Sequence, residues 1–125
     1  TAFNRSRMQS SRKKHKLVDV IRIKEFEHSL SEFDLIINAT SAGSSTDLNS
    51  TPFNLDLLNN AKPRCVIYDI IYDPLKTKLL LVSESFGLKT INGLRMNMIQ
   101  AVLAYRYTNC TDLSLEQVFQ KMRGH

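Results

Sequence analysis

The sequence predicts an α/β domain built on a parallel sheet, and two observations carry that prediction. Three short, β-branched-rich apolar runs, each bounded by polar turns, have the pattern of parallel strands covered on both faces. Between them lie segments of helical or turn character, and strands that alternate with helices build βα units. The length of 125 residues suits one compact domain, and 42% apolar with 23% charged residues is the balance of a globular chain. No apolar run reaches about 18 residues, so the sequence offers no transmembrane helix.

The elements follow in order. Thr1-Ala2-Phe3 reads as the end of a strand, followed at once by Asn4-Arg5-Ser6. Helical patterning is expected over 7–16. The first apolar run is Leu17 to Ile23, broken by Asp19 and Arg22, and a helical segment is expected from Ile23 to Ser31. The second run, Phe33 to Asn38, opens into the one long polar loop, 41–51. A polar loop directly after a buried strand is where an α/β sheet places its ligand. The small residues Ala39, Thr40 and Ser41 beside Asn38 let a ligand approach the backbone, while Asn also suits ordinary turn geometry.

A short turn over 53–59 leads to the third run, Cys65 to Ile71. Lys76 to Phe86 is helical in pattern, Gly87 fits the position just past a helix end, and Leu88 to Ile91 reads as one more strand. From Leu94 to Tyr107 the chain is apolar at helical spacing. Gln100 falls four residues after Met96 and three before Leu103, on one face with both. An amide on a buried face needs partners, from a ligand or from the core itself. The last helix, Leu115 to Met122, follows Ser114, with Gln117 placed to complete a capping box.

Charge is unevenly spread. The 17 Lys and Arg exceed the 12 Asp and Glu by five. Residues 1–24 hold eight of the basic residues and one acid, so the remainder of the chain is slightly acidic. The partner implied by the basic end is local and anionic, unless that end is simply a solvated helix face. A nucleic-acid binder is disfavoured by the lack of interleaved aromatics and of any helix-turn-helix signal. Cys65 and Cys110 cannot build a disulfide framework or a zinc site, no metal site is expected, and a reducing cytoplasm is the expected compartment.

Missing parts narrow the fold further. The four glycines are Gly43, Gly87, Gly93 and Gly124, and no GxGxxG occurs. A dinucleotide-binding half begins with a strand, a glycine-rich turn and a helix. The expected fold is therefore a partial Rossmann-like doubly wound parallel sheet with helices on both faces, lacking the first strand, glycine-rich loop and first helix. With no initiator Met and no signal peptide, residues 1–125 are expected to be a fragment.

At Asp34-Leu35-Ile36-Ile37-Asn38-Ala39-Thr40-Ser41-Ala42-Gly43 the chain resembles the NADP-binding C-terminal domain of shikimate dehydrogenase. Four further segments match in the same order. Asn4-Arg5-Ser6 resembles the family's Asn-Arg-Thr motif, and Tyr68-Asp69-Ile70-Ile71-Tyr72-Asp73-Pro74 its Tyr-Asp-x-x-Tyr-x-Pro element. Lys76-Thr77 with Leu79-Leu80 resembles the start of its next helix, and Asn92-Gly93-Leu94-Arg95-Met96 with Gln100-Ala101 its Asp-Gly-x-x-Met…Gln-Ala signature. One such motif is weak, but five collinear ones are specific.

The resemblance implies an NADPH-dependent reduction of 3-dehydroshikimate to shikimate, on the chorismate route to aromatic amino acids. It implies that 1–125 is a partial NADP-binding domain, and that the N-terminal domain carrying the catalytic Lys and Asp lies outside it. No catalytic residue is therefore expected in this chain, and the chain alone is expected to be inactive. By the same resemblance Asn4, Arg5 and Ser6 hold the adenosine 2′-phosphate, and Asn38, Ala39, Thr40, Ser41, Ile70 and Gly93 border the nicotinamide end. Tyr72 and Gln100 are expected to contact substrate. Arg5 suits its role because a guanidinium meets phosphate bidentately and keeps its charge. Asn92 and Arg95 depart from the family's Asp and Gly.

Partners are expected to be the small-molecule substrate and cofactor, with neither nucleic acid nor membrane, and the resemblance leaves room for a homodimer. Two alternatives stay open: a quinate/shikimate dehydrogenase using NAD, and a degenerate, non-catalytic nucleotide-binding domain.

Overall fold

The computed structural model describes residues 2–4, 20–109 and 112–123. Strands β1 (Ala2–Asn4) and β2 (Val20–Arg22) pair in parallel. Helix α1 (Ile23–His28) follows directly, and a 3₁₀ turn, Leu30–Glu32, leads into β3 (Leu35–Asn38). A second 3₁₀ segment, Leu55–Asn60, crosses to β4 (Val66–Asp69), and helix α2 (Lys78–Ser85) crosses to β5 (Lys89–Ile91). These last three strands form a parallel sheet in the order β3-β4-β5. Helices α3 (Leu94–Asn109) and α4 (Leu115–Arg123) complete the chain and pack against each other, with Val102 and Val118 buried.

The expected strands are all present among the described residues, and their limits differ for local reasons. The first apolar run is a strand only over Val20–Arg22, while the helix expected over 7–16 lies outside the described residues. The single helix expected over 23–31 is α1 followed by the 3₁₀ turn. The break comes at Ser29, whose hydroxyl donates to the Glu25 carbonyl. Thr77 caps α2 by accepting from the Leu80 amide, and Gly87 stands just past its end at φ 76°. The capping box of α4 forms as expected: the Gln117 amide donates to Ser114 Oγ, and the Ser114 amide donates to Gln117 Oε1.

The core lies on one face of the β3-β4-β5 sheet. Ile36 and Ile67 are opposite one another in register and are buried against Leu58, Leu79 and Leu80. Phe26 closes the near end, its ring 5.4 Å from Phe33 and 5.2 Å from Phe53. Cys65 belongs to this core, and burial pushes its thiol up, so it is packing rather than a nucleophile. Asp34 clips the entry to β3 with Lys62 at 3.1 Å and Arg64 at 3.0 Å, and the hydrogen bond from Lys62 holds its carboxyl below the usual range.

The expectation that these strands are covered on both faces is corrected for the described residues. Burial alternates along β3, with Leu35 and Ile37 about half exposed. Their register partners on β4 and β5 include Val66, Tyr68 and the exposed Ile91, so one apolar sheet face stands open. The apolar character of both faces was legible as a run; which face finds a helix depends on chain brought from elsewhere in the fold.

A paired substitution tests this assignment. Ile67→Ala removes a side chain with no exposed surface and should cost about 2–5 kcal/mol. Leu35→Ala, on the open face, should change stability by about 0.5 kcal/mol or less. Urea midpoints decide the point, and equal losses at the two positions would mean that the Leu35 face is covered.

Candidate functional site

The carboxyl ends of β3 and β4 lie side by side, with Asn38 opposite Asp69. Each strand runs into a loop there, and the two loops form the walls of one cleft. Thr40, Ser44 and Ser45 line it from the β3 side, and Ile70, Ile71, Tyr72 and Asp73 from the β4 side. Its volume is about 270 Å³, the scale of a sugar or a single heterocycle rather than of a whole dinucleotide. The walls are joined at the rim, where the Ser45 amide donates to the Asp73 carbonyl at 3.0 Å. The lining combines four hydroxyl-bearing residues with two isoleucines and one acidic residue, and among the described residues no cationic side chain belongs to it. Hydroxyls beside apolar surface suit a neutral, hydroxylated ring.

Beneath this floor lie three buried polar residues, Asn38, Asp69 and Thr77, of which Asp69 has no exposed surface. Asn38 Nδ2 donates both to Asp69 Oδ1 at 3.1 Å and to the Ala42 carbonyl at 3.2 Å. Its Oδ1 accepts from the amide of Thr40 and from the Thr40 hydroxyl. These partners fix the amide's orientation, because the reverse would set oxygen against oxygen at Ala42. The Ala42 amide in turn donates to Thr40 Oγ1. From the other wall, the Ile71 amide donates to Asp69 Oδ1 at 3.1 Å and the Thr77 hydroxyl to Asp69 Oδ2 at 2.7 Å. Among the described residues no buried side-chain polar atom lacks a partner.

The start of α3 packs against the backbone of the β4 wall. The Gly93 amide donates to the Ile71 carbonyl at 2.9 Å, and a Cβ at Gly93 would fall 1.7 Å from the Ile70 carbonyl oxygen. Only glycine permits that approach. Asn92 anchors the same junction, donating to the Leu75 carbonyl and accepting from the Leu94 amide, so its departure from the family's Asp leaves a working cap. Arg95 is exposed.

The sequence-derived candidates are distributed as follows. Thr40, Ile70 and Tyr72 line the cleft together, and Tyr72 is 49% exposed at its mouth. Gly93 touches Ile70, whereas Ala39 and Ser41 are exposed beside the β3 wall. Asn38 lies under the wall with its amide engaged by the protein. Asn4 ends β1, and Arg5 and Ser6 lie outside the described residues. Gln100 is exposed on α3, not buried as its apolar neighbours predicted, because its face-mate Leu103 is itself 38% exposed. The reading that Gln100 is a core amide bonded to backbone is thereby removed. Sequence reasoning missed Ser44, Ser45 and Asp73 as lining residues, and Thr77 as a partner of Asp69. A buried acid ending a strand, with a Thr cap eight residues on, was the available signal.

No family model matches the chain. Similar curated proteins are shikimate dehydrogenases (NADP⁺). The one from Bacillus licheniformis is 38% identical over 108 residues, covering 83% of this chain and 38% of the relative. The one from Bacillus subtilis is 33% identical, covering 80% and 35%. The chain thus spans about a third of the length of these relatives. Among solved structures, a shikimate dehydrogenase from Peptoclostridium difficile superposes with a TM-score of 0.67 at 26% identity, over 82% of this chain and 37% of that one. A shikimate dehydrogenase in complex with NADP⁺ gives 0.56 at 30% identity, over 70% and 30%. The NAD complex of quinate dehydrogenase from Corynebacterium glutamicum shares the fold, with a TM-score of 0.67 at 22% identity over 86% and 36%.

Two glycine substitutions test the geometry. Gly93→Ala forces a backbone clash and breaks the bond to Ile71, and should cost about 2–4 kcal/mol. Gly43→Ala meets a φ of 96° and a Thr77 Cβ 3.3 Å away, and should cost about 1–3 kcal/mol. An unchanged urea midpoint for Gly93→Ala would show that α3 does not start against Ile70.

Proposed function

We propose, from its homology to the shikimate dehydrogenases, that this chain is the greater part of the NADP-binding domain of an enzyme that reduces 3-dehydroshikimate to shikimate. The observation that carries the proposal is the meeting of Thr40, Ile70 and Tyr72 across one cleft, at the carboxyl ends of adjacent parallel strands. That is where an α/β sheet binds a nucleotide. The cleft's size and lining fit the nicotinamide and its ribose: Ile70 and Ile71 offer apolar surface, and Thr40, Ser44 and Ser45 offer hydroxyls.

The cofactor, when bound, supplies a hydride to the substrate's ring carbonyl carbon. This chain's residues hold and orient. Gly93 brings the start of α3 against the backbone of Ile70, which lines the cleft. Tyr72, half exposed in the cleft lining, and Gln100, exposed on α3, are the side chains that meet a substrate rich in hydroxyls. Asn4 ends the first strand, and Arg5, next to it in sequence with Ser6 after it, carries NADP selectivity because the 2′-phosphate is the only group that separates NADP from NAD. The proton-transferring groups belong to the remaining two thirds of the enzyme, so the chain alone turns over no substrate.

A chimera tests this reading, with the chain replacing its matching segment in the Bacillus licheniformis enzyme. It should oxidise shikimate with NADP⁺, whereas the chain alone should not. Arg5→Ala in the chimera should weaken NADPH by about 10- to 150-fold, the scale of one charge-assisted bond, and leave NADH nearly unchanged. The NADPH effect should shrink at high salt. Loss of both cofactors together would assign Arg5 to holding the loop. Gln100→Ala should raise the KM for shikimate about 10-fold or more with NADPH affinity unchanged, and equal loss of both ligands would remove Gln100 from the substrate pocket.

A further inference from the structure

We infer that Asp69 is a positioning residue whose carboxylate locks the two walls of the cleft to each other. The inference deepens the proposed function, since it takes the cleft as the nicotinamide site. Three donors converge on Asp69 and each comes from a different segment. Asn38 ends β3, Ile71 lies in the loop after β4, and Thr77 caps α2. The direction of every bond is fixed. Asn38 must donate because its other hydrogen goes to the Ala42 carbonyl. Thr77 donates its hydroxyl hydrogen to Oδ2, while its oxygen also accepts from the Leu80 amide at 3.4 Å. Ile71 contributes a backbone N–H. Asp69 therefore acts only as an acceptor, and both of its oxygens are used.

The consequence is mechanical. Asn38 passes the constraint to Thr40 and Ala42, which shape the β3 wall, while Ile71 and Thr77 carry it to the wall that bears Tyr72. Gly43 rests on Thr77, closing the same circuit by packing. Among the described residues no cation is bonded to Asp69, and three hydrogen bonds hold it in place. A carboxylate with no exposed surface and three donors from three segments specifies one arrangement of those segments. Misplacement of reacting groups by about 1 Å costs about 100-fold in rate, so such a brace acts on catalysis without touching substrate.

Asp69→Asn is the test, since it keeps shape and replaces one acceptor by a donor aimed at another donor. The first readout is amide hydrogen exchange in the 125-residue chain. Exchange at Thr40, Ala42, Ile71 and Leu80 should quicken by about 10-fold or more, while the Cys65 and Leu88 amides, bonded elsewhere, keep their rates. Thr77→Val should quicken Leu80 and Ile71, and Thr77→Ser should restore them. Uniform quickening that includes Cys65 and Leu88 would overturn the inference, as would no change at all. The second readout is kinetic, in the chimera. Asp69→Asn should lower kcat by about 10- to 100-fold with KM values changed less, and Thr77→Ser should keep kcat. A chimera inactive without any substitution would count against the functional reading, whereas the exchange pattern judges the brace independently of it.

Discussion

A carboxylate withdrawn from water at the end of β4 governs the layout of the whole site. Burying such a group costs several kcal/mol unless donors meet it, and the chain supplies them from three directions. Meeting that demand dictates much else. The β3 loop must turn back so that Asn38 reaches across the sheet. The β4 loop must bend so that the Ile71 amide points inward. Helix α2 must begin at Thr77, whose hydroxyl both caps the helix and bonds Asp69. Gly43 must be a glycine because the turned loop lands on Thr77 at φ 96°. One unfavourable burial thus sets two loops and a helix start, and the cleft is the space they leave.

The sheet was legible because its signal is local. Runs such as Phe33 to Asn38 and Cys65 to Ile71 can hardly be anything but buried strands, and Ser114 with Gln117 announces a helix start within four residues. The cleft was legible in outline, since a polar loop after a buried strand points to it. What could not be read was the pairing of distant polar groups. Asn38 and Asp69 are 31 residues apart and meet only because β3 and β4 share a register. The burial expected of the Gln100 face was misread for the opposite reason. Helical periodicity predicts that a face is apolar, but not whether another element covers it, and α3 turns its buried side to α4.

The chemistry divides between two kinds of electrostatics. Around Asp69 the interactions are short, buried and insensitive to salt. Charge carried by the basic residues that the sequence concentrates in 1–24 acts at longer range and is screened, with a Debye length of about 8 Å at physiological ionic strength. A dinucleotide spans both regimes, with a neutral nicotinamide riboside at one end and a phosphorylated adenosine at the other. The proposed cofactor therefore matches the way charge is distributed along the chain, not only the shape of one cavity.

The open face of the sheet has a bearing on the chain's life in a cell. Leu35, Ile37 and Ile91 stand on it, and β3 presents an unpaired backbone edge beside them among the described residues. Apolar surface next to a free strand edge is the combination that chaperones hold and that seeds inclusion bodies. Wherever that face is left uncovered, recovery of folded protein is set by dilution as much as by the fold, and a polar residue at Leu35 or Ile37 is the change that would ease it.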